Sequence, residues 1–223
     1  MPSSIVYTHS GALYLNITNR CSNSCTFCLR NHARGIREDL DLWLRREPTV
    51  EEILDAIERH SLKDSREVIF CGYGESTTRL PELIEVAEHL RRAADVRVRL
   101  DTNGQGNLIN HKEIIADIAE VVDAVSISLN AGNSSSYQRM CRSVFGEESY
   151  AAVLHFAEGC TSLISDVTLS VVDVIDDDEM QICRGIAAGM GAEFRVRPFT
   201  NLRTVSNERQ RMSHDASAVD GGH

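Results

Sequence analysis

The sequence predicts an α/β fold, a partial (β/α)6 TIM-like barrel with parallel strands. Two observations predict its class and a third its shape. Six short strand-like runs alternate with five helical stretches along the 223 residues, and that alternation is the signature of parallel strands joined by helical crossovers. No second composition regime, linker or internal repeat interrupts the alternation beyond the recurring strand-helix unit. Finally, several strands are apolar on one face and polar on the other, whereas parallel sheets are usually covered, and apolar, on both. Closed eight-stranded barrels are filled by branched apolar side chains. Polar inner faces on six strands therefore predict an open barrel around a wet cavity; the alternative is a doubly wound sheet with one face to solvent.

Each element follows from a local pattern. Ala12–Thr18 alternates Leu13, Leu15 and Ile17 with Tyr14, Asn16 and Thr18, the period of a strand. An arginine-rich segment from Arg30 to Glu47 follows, carrying Trp43. Thr49 and Glu52 form a capping box that opens a helix with Ile53, Leu54 and Ile57 on one face. Glu67–Cys71 is the second strand and ends in the turn Gly72-Tyr73-Gly74-Glu75. Pro81 suits the first turn of the next helix. Val96–Leu100 is the third strand, closing on Asp101-Thr102-Asn103-Gly104. A helix from about His111 to Val122 leads to the fourth strand, Ala124–Asn130. A short helix near Tyr137, a longer one over Glu148–Ser162, a strand at Val167–Val172, a helix at Asp178–Met190 and a strand at Glu193–Arg197 complete the series. The apolar faces (Val125, Ile127, Leu129; Val167, Leu169, Val171; Phe194, Val196) are expected against the helices. The polar ones are expected in the lumen: Asn16 and Thr18; Arg97, Arg99 and Asp101; Ser126, Ser128 and Asn130; Thr168 and Ser170; Arg195 and Arg197.

Composition bounds the setting. A chain of 223 residues with 42% apolar content suits one well-buried domain. Residues 1–199 are assigned to that domain, and 200–223 to a polar tail, expected to be flexible or a loose cover. A net charge of −10 argues against broad contact with a nucleic-acid backbone or an anionic membrane. No apolar run reaches the ~20 residues of a membrane span, and the first ten residues lack the build of a signal peptide. Seven cysteines, three of them clustered, fit a reducing cytoplasm better than a disulfide scaffold.

The clustered three carry the chemistry. Cys21, Cys25 and Cys28 form a C-x3-C-x2-C array just after the first strand. Such spacing brings three thiolates round a common point, as a metal ion or an iron–sulfur cluster requires, and leaves a fourth position open. With His32, the same residues make an acceptable Cys3His set for structural zinc, in which case the protein is an α/β binding module without redox chemistry. Cys71, Cys141, Cys160 and Cys183 are dispersed and read as buried, apolar-like thiols. Active sites of such barrels lie at the carboxyl ends of the strands, where the cysteines, Gly72–Glu75, Asn103-Gly104 and Asn130 all fall.

These residues carry a resemblance. The C-x3-C-x2-C array with Phe27 before its last cysteine, and the Gly74-Glu75 turn, resemble the radical SAM superfamily over about Leu13 to Pro198. The wording NITNRCSNSCTFCLR, DLWLRREPT, FCGYGEST, DTNG, SISLNA and EFRVR is similar to the TatD family-associated radical SAM proteins. The resemblance implies a [4Fe–4S] cluster on Cys21, Cys25 and Cys28, with S-adenosylmethionine on the fourth iron. Reductive cleavage would then give a 5′-deoxyadenosyl radical that abstracts hydrogen from an unidentified substrate. Gly72, Tyr73 and Gly74 would approach the methionine end, Glu75 would fix their turn, and Asn103 would share that rim. Ser126, Ser128 and Asn130 would meet ribose and methionine, Phe27 the adenine, and Arg195 or Arg197 a carboxylate. Where the family's turn often continues with proline, this chain has Ser76, and the adenine motif of strand five is not recognisable. Activases of glycyl-radical enzymes and synthases of modified nucleobases share so small a barrel. A flavodoxin or ferredoxin electron donor and a link to a TatD-like hydrolase are the implied partners.

Overall fold

The computed structural model describes residues 4–37, 39–60, 62 and 65–199. The expected tail from 200 onward lies outside them. Among the described residues there are seven strands: β1 (Val6–His9), β2 (Ala12–Leu15), β3 (Glu67–Phe70), β4 (Arg97–Thr102), β5 (Ala124–Ser128), β6 (Asp166–Val172) and β7 (Glu193–Arg197). They pair in sequence order in one sheet, β2 to β7 all parallel, and the two outer strands do not pair with each other. This is an open, partial TIM-like barrel, as expected.

β1 is the one strand not expected from the sequence. It runs antiparallel to β2 through a two-residue turn, Ser10-Gly11, with φ of 50° and 79°. A two-residue hairpin turn with both φ positive matches strand twist. A Ser-Gly pair between Val6-Tyr7 and the Leu13 run was the available signal.

The helices are α1 (Val50–Glu58), α2 (Leu80–Ala93), α3 (Gly106–Asn110), α4 (Ile115–Ala119), α5 (Ser134–Cys141), α6 (Glu148–Leu163) and α7 (Asp177–Gly189). The capping box closes as expected: Thr49 accepts from the Glu52 N–H, and Glu52 accepts from the Thr49 N–H. Pro81 sits in the first turn of α2. The helix expected over 111–122 is shorter, α4 alone, and an unexpected short helix, α3, precedes it and ends at His111 in a left-handed C-cap of φ 53°.

The outward strand face (Leu13, Leu15, Val68, Phe70, Val98, Leu100, Val125, Ile127, Val167, Leu169) buries against Ile53, Leu83, Leu90, Val153, Phe156 and Cys183 of the helices. Fully burying one such side chain contributes about 1.5–3 kcal/mol. The sheet register stacks the inward face in layers. Asp101 lies beside Ser126 and Thr168; Ser128 beside Ser170 and Arg195; Val172 beside Arg197. The Arg30–Glu47 segment is not uniformly polar in its packing. Its Leu40 and Leu42 join Tyr7 and Tyr73 in a second small core, against which Tyr14 packs, so this segment covers the inner face on the β1–β2 side.

Candidate functional site

The site grows out of the loops after β2, β3, β4 and β5. The loop after β3 is held by close backbone approach. Gly72 lies so near Asn16 that a Cβ would stand 2.1 Å from Asn16 Oδ1; one on Gly74 would stand 2.5 Å from the carbonyls of both Thr18 and Arg20. Only glycine fits there. Asn16 is fully buried, donates to the carbonyls of Ser4 (3.0 Å) and Leu42 (2.7 Å), and accepts the Tyr73 N–H at 3.1 Å.

Glu75 ties this loop to the end of β4. Its buried carboxylate accepts from the Thr77 N–H (3.2 Å) and hydroxyl (2.8 Å), the Thr102 hydroxyl (2.7 Å) and the Asn103 N–H (2.7 Å). Burial pushes its pKa above the ordinary carboxylate range, against the pull of these four donors. Because the Glu75 side chain caps a 3-10 turn over Ser76–Arg79, the loop is held without the proline that Ser76 replaces.

A second network holds the cysteine loop. Ser22 and Asn103 bond at 2.9 Å, and Asn103 Nδ2 also approaches Cys21 Sγ at 3.8 Å. Fully buried Gln105 accepts from Ser22 (2.8 Å) and Ser143 (3.0 Å), and donates to Asn23 (2.9 Å) and the Tyr137 hydroxyl (2.9 Å). The sequence reading gives Gln105, Asn23 and Tyr137 no role in the site. A buried amide reaching four partners far apart in sequence leaves no periodic trace.

These loops frame a cavity of about 330 Å³ at the carboxyl ends of the strands. Cys21, Cys25 and Cys28 all line it, together with Phe27, Asn103, Ser128, Asn130 and Arg197. Arg197 donates to Ser128 and Asn130, each at 3.2 Å. Gly72, Tyr73, Gly74, Glu75 and Ser126 do not line it. The first four form the adjoining rim, and Ser126 sits deeper, level with Asp101. Arg195 is exposed on β7, near the opposite mouth, where Arg97 pairs with Asp166.

Burial raises the Cys21 thiol to about 12 and raises Cys28 as well; contact with Cys141 and then burial raise Cys25. Protonated in isolation, the three thiols need a cation to draw off their protons. Three thiols on one cavity, with no carboxylate or imidazole on its wall, are the donor set of an iron–sulfur cluster. Among the described residues no three His, Cys, Asp or Glu side chains are gathered round one ion position. His32 instead lies edge-on to Phe199.

Comparison with known proteins agrees with this geometry. Two curated relatives are tRNA-2-methylthio-N(6)-dimethylallyladenosine synthases. That of Bdellovibrio bacteriovorus is 25% identical over 88% of this chain and 45% of its own, and that of Syntrophomonas wolfei is 26% identical over 75% and 38%. The chain thus spans less than half the length of either. Among solved structures, a radical SAM methyltransferase from Sphaerobacter thermophilus shares the fold at a TM-score of 0.59 (16% identity, 87% of this chain and 58% of that one). Methylornithine synthase (PylB) does so at 0.61 (12% identity, 84% and 52%), and Streptococcus suis SuiB, bound to S-adenosylmethionine, at 0.58 (12% identity, 92% and 44%). The sequence profile of the radical SAM superfamily matches residues 15–181, three quarters of the chain and nearly all of the strands and loops that build the cavity, so the chain belongs to the radical SAM superfamily, whose enzymes use a [4Fe–4S] cluster and S-adenosylmethionine.

Proposed function

We propose that Cys21, Cys25 and Cys28 would hold the [4Fe–4S] cluster of a radical SAM enzyme at the cavity that they share with Asn103, Ser128 and Asn130. That shared cavity is the observation that carries the reading. When bound, the cluster and S-adenosylmethionine supply a reductively generated carbon radical that abstracts hydrogen from substrate. The chain's own part is to shape and close the site. Gly72 and Gly74 leave backbone open to the methionine end, Glu75 fixes that backbone, and Ser128 and Asn130 offer polar contacts to the ribose and methionine. Phe27 offers an apolar face to the adenine.

Of the substrate classes, a nucleobase in RNA has specific support, because both curated relatives are named as tRNA-modifying synthases. The loop wording supports the TatD family-associated proteins as the subfamily, with a TatD-like hydrolase as functional partner; flavodoxin or ferredoxin is the proposed electron donor, and cysteine usage supports the cytoplasm as compartment. Residues 1–199 form the core domain. Among the described residues no helix is long and apolar enough to cross a membrane.

Anaerobic reconstitution tests the reading. The chain should bind about four iron and four sulfide and, once reduced, convert S-adenosylmethionine to 5′-deoxyadenosine and methionine. Cys25→Ala should lose both properties. A colourless wild-type protein holding one zinc would sink the proposal.

A further inference from the structure

Among the described residues that line the cavity, Arg197 is the only one with a charged side chain. It is half-buried, and no carboxylate of the described residues forms an ion pair with it. Asp101, deeper on the inner face, pairs with Arg99 instead, at 3.0 Å. The chain carries a net charge of −10, so its surface as a whole repels anions. A lone cation on a cavity wall is where one is admitted.

The hydrogens of Arg197 are only partly used. A guanidinium donates from Nε and from both Nη atoms. Nη2 donates to Ser128 Oγ and to Asn130 Oδ1, each at 3.2 Å, which fixes the plane of the group. Nε is buried with no hydrogen-bond partner, and Nη1 has no acceptor among the described residues. A charge drawn part-way out of water with neither counter-ion nor acceptors is costly. A planar guanidinium is matched by a carboxylate or a phosphate. Beside it, Val172, Pro198 and Phe199 give the same wall an apolar stretch.

Resting on the radical SAM reading above, we propose that Arg197 is a substrate-binding residue: it holds the oxyanion, a carboxylate or a phosphate, of an anionic substrate whose apolar or aromatic body lies on Val172, Pro198 and Phe199. Of the two arginines that the sequence associates with a carboxylate, only Arg197 reaches the cavity. The anion belongs to the substrate because of strand order. β7 is the edge strand farthest along the sheet from β3, whose Gly72–Gly74 turn faces the methionine end of the cofactor in that reading. A nucleotide meets the description, with its phosphate on Arg197 and its base on the Phe199 ring.

The test is isothermal titration calorimetry of the reconstituted enzyme saturated with S-adenosylmethionine, using adenosine 5′-monophosphate and benzoate as probes. The first offers a phosphate and the second a carboxylate, each on an aromatic body, and the tighter of the two identifies the oxyanion that the site takes. Arg197→Gln keeps an amide donor for Ser128 and Asn130 but loses the charge. It should weaken that probe by at least about tenfold, the worth of one charge-assisted hydrogen bond. Arg197→Lys, which keeps the charge, should lose less than Arg197→Gln. Iron content and S-adenosylmethionine affinity should match the wild type in both. Equal probe affinity in the wild type and Arg197→Gln overturns the proposal, as does a wild type that binds neither probe at millimolar concentration. A loss of S-adenosylmethionine affinity in Arg197→Gln as large as that expected for the probe also overturns it, because the anion would then be the cofactor's own carboxylate. Iron uptake reports on the cluster reading separately. If the wild type takes up no iron, that reading fails, and the same probes titrated into the metal-free wild type and Arg197→Gln still decide whether Arg197 holds an oxyanion.

Discussion

A few side chains do more for the site than their number suggests. Glu75 accepts four hydrogen bonds from two loops, and a buried donor left without its acceptor costs about 1–3 kcal/mol. Glu75→Ala should therefore destabilise the fold by about 3 kcal/mol in urea unfolding, with Asn103 and Thr77 the donors orphaned; a loss under about 1 kcal/mol would mean that water replaces the carboxylate. Gly72→Ala drives a methyl into Asn16 Oδ1 and should cost about 1–3 kcal/mol as overpacking. An unchanged melting temperature would show that the Asn16 side chain yields. Glycines and cysteines of this kind are visible in a sequence because their residue types are scarce and their spacing is tight. Asn23, Gln105 and Tyr137 are not visible, because what they do is defined by partners as many as 114 residues away in sequence.

At the level of elements, periodicity carried most of the fold. The strand at 193–197 and the helix cap at Thr49 stand where alternation and the capping box put them. Misses fall where the pattern is short: the four-residue β1, and the five-residue α3 that ends at His111, ahead of a helix α4 shorter than expected. The capping box gives a pH test. Arg46, then the Thr49 N–H, hold the Glu52 carboxyl down at about 2. A depressed pKa stabilises the fold above the ordinary carboxylate range and loses that contribution as pH falls through about 2. The Glu52 carboxyl resonance should therefore titrate near 2 by NMR; a midpoint near the ordinary 4.3 would show the box open in solution. Phe156 of α6 is fully buried against the sheet, and Phe156→Ala should cost about 3–5 kcal/mol. A loss below 1 kcal/mol would mean that α6 settles inward to fill the space.

Across the whole molecule, cross-links between loops make one end of the barrel a unit. Hydrogen exchange of the reconstituted protein should slow together at residues 18–24, 72–77, 103–105 and 128–131 when S-adenosylmethionine binds. Slowing confined to the opposite mouth, around Arg97 and Asp166, would place the cofactor elsewhere. The strand order has a different consequence, in time rather than space. Because each strand pairs with its sequence neighbour, the sheet can grow as the chain leaves the ribosome, with no strand waiting for a distant partner. The cysteine loop is made early, yet Gln105, Tyr137 and Ser143, whose side chains lock it down, emerge some 80 to 120 residues later. During synthesis there is thus an interval in which the three thiols stand beside a partly built sheet, before α5 supplies the carbonyls of Met140 and Cys141 that bind their loop.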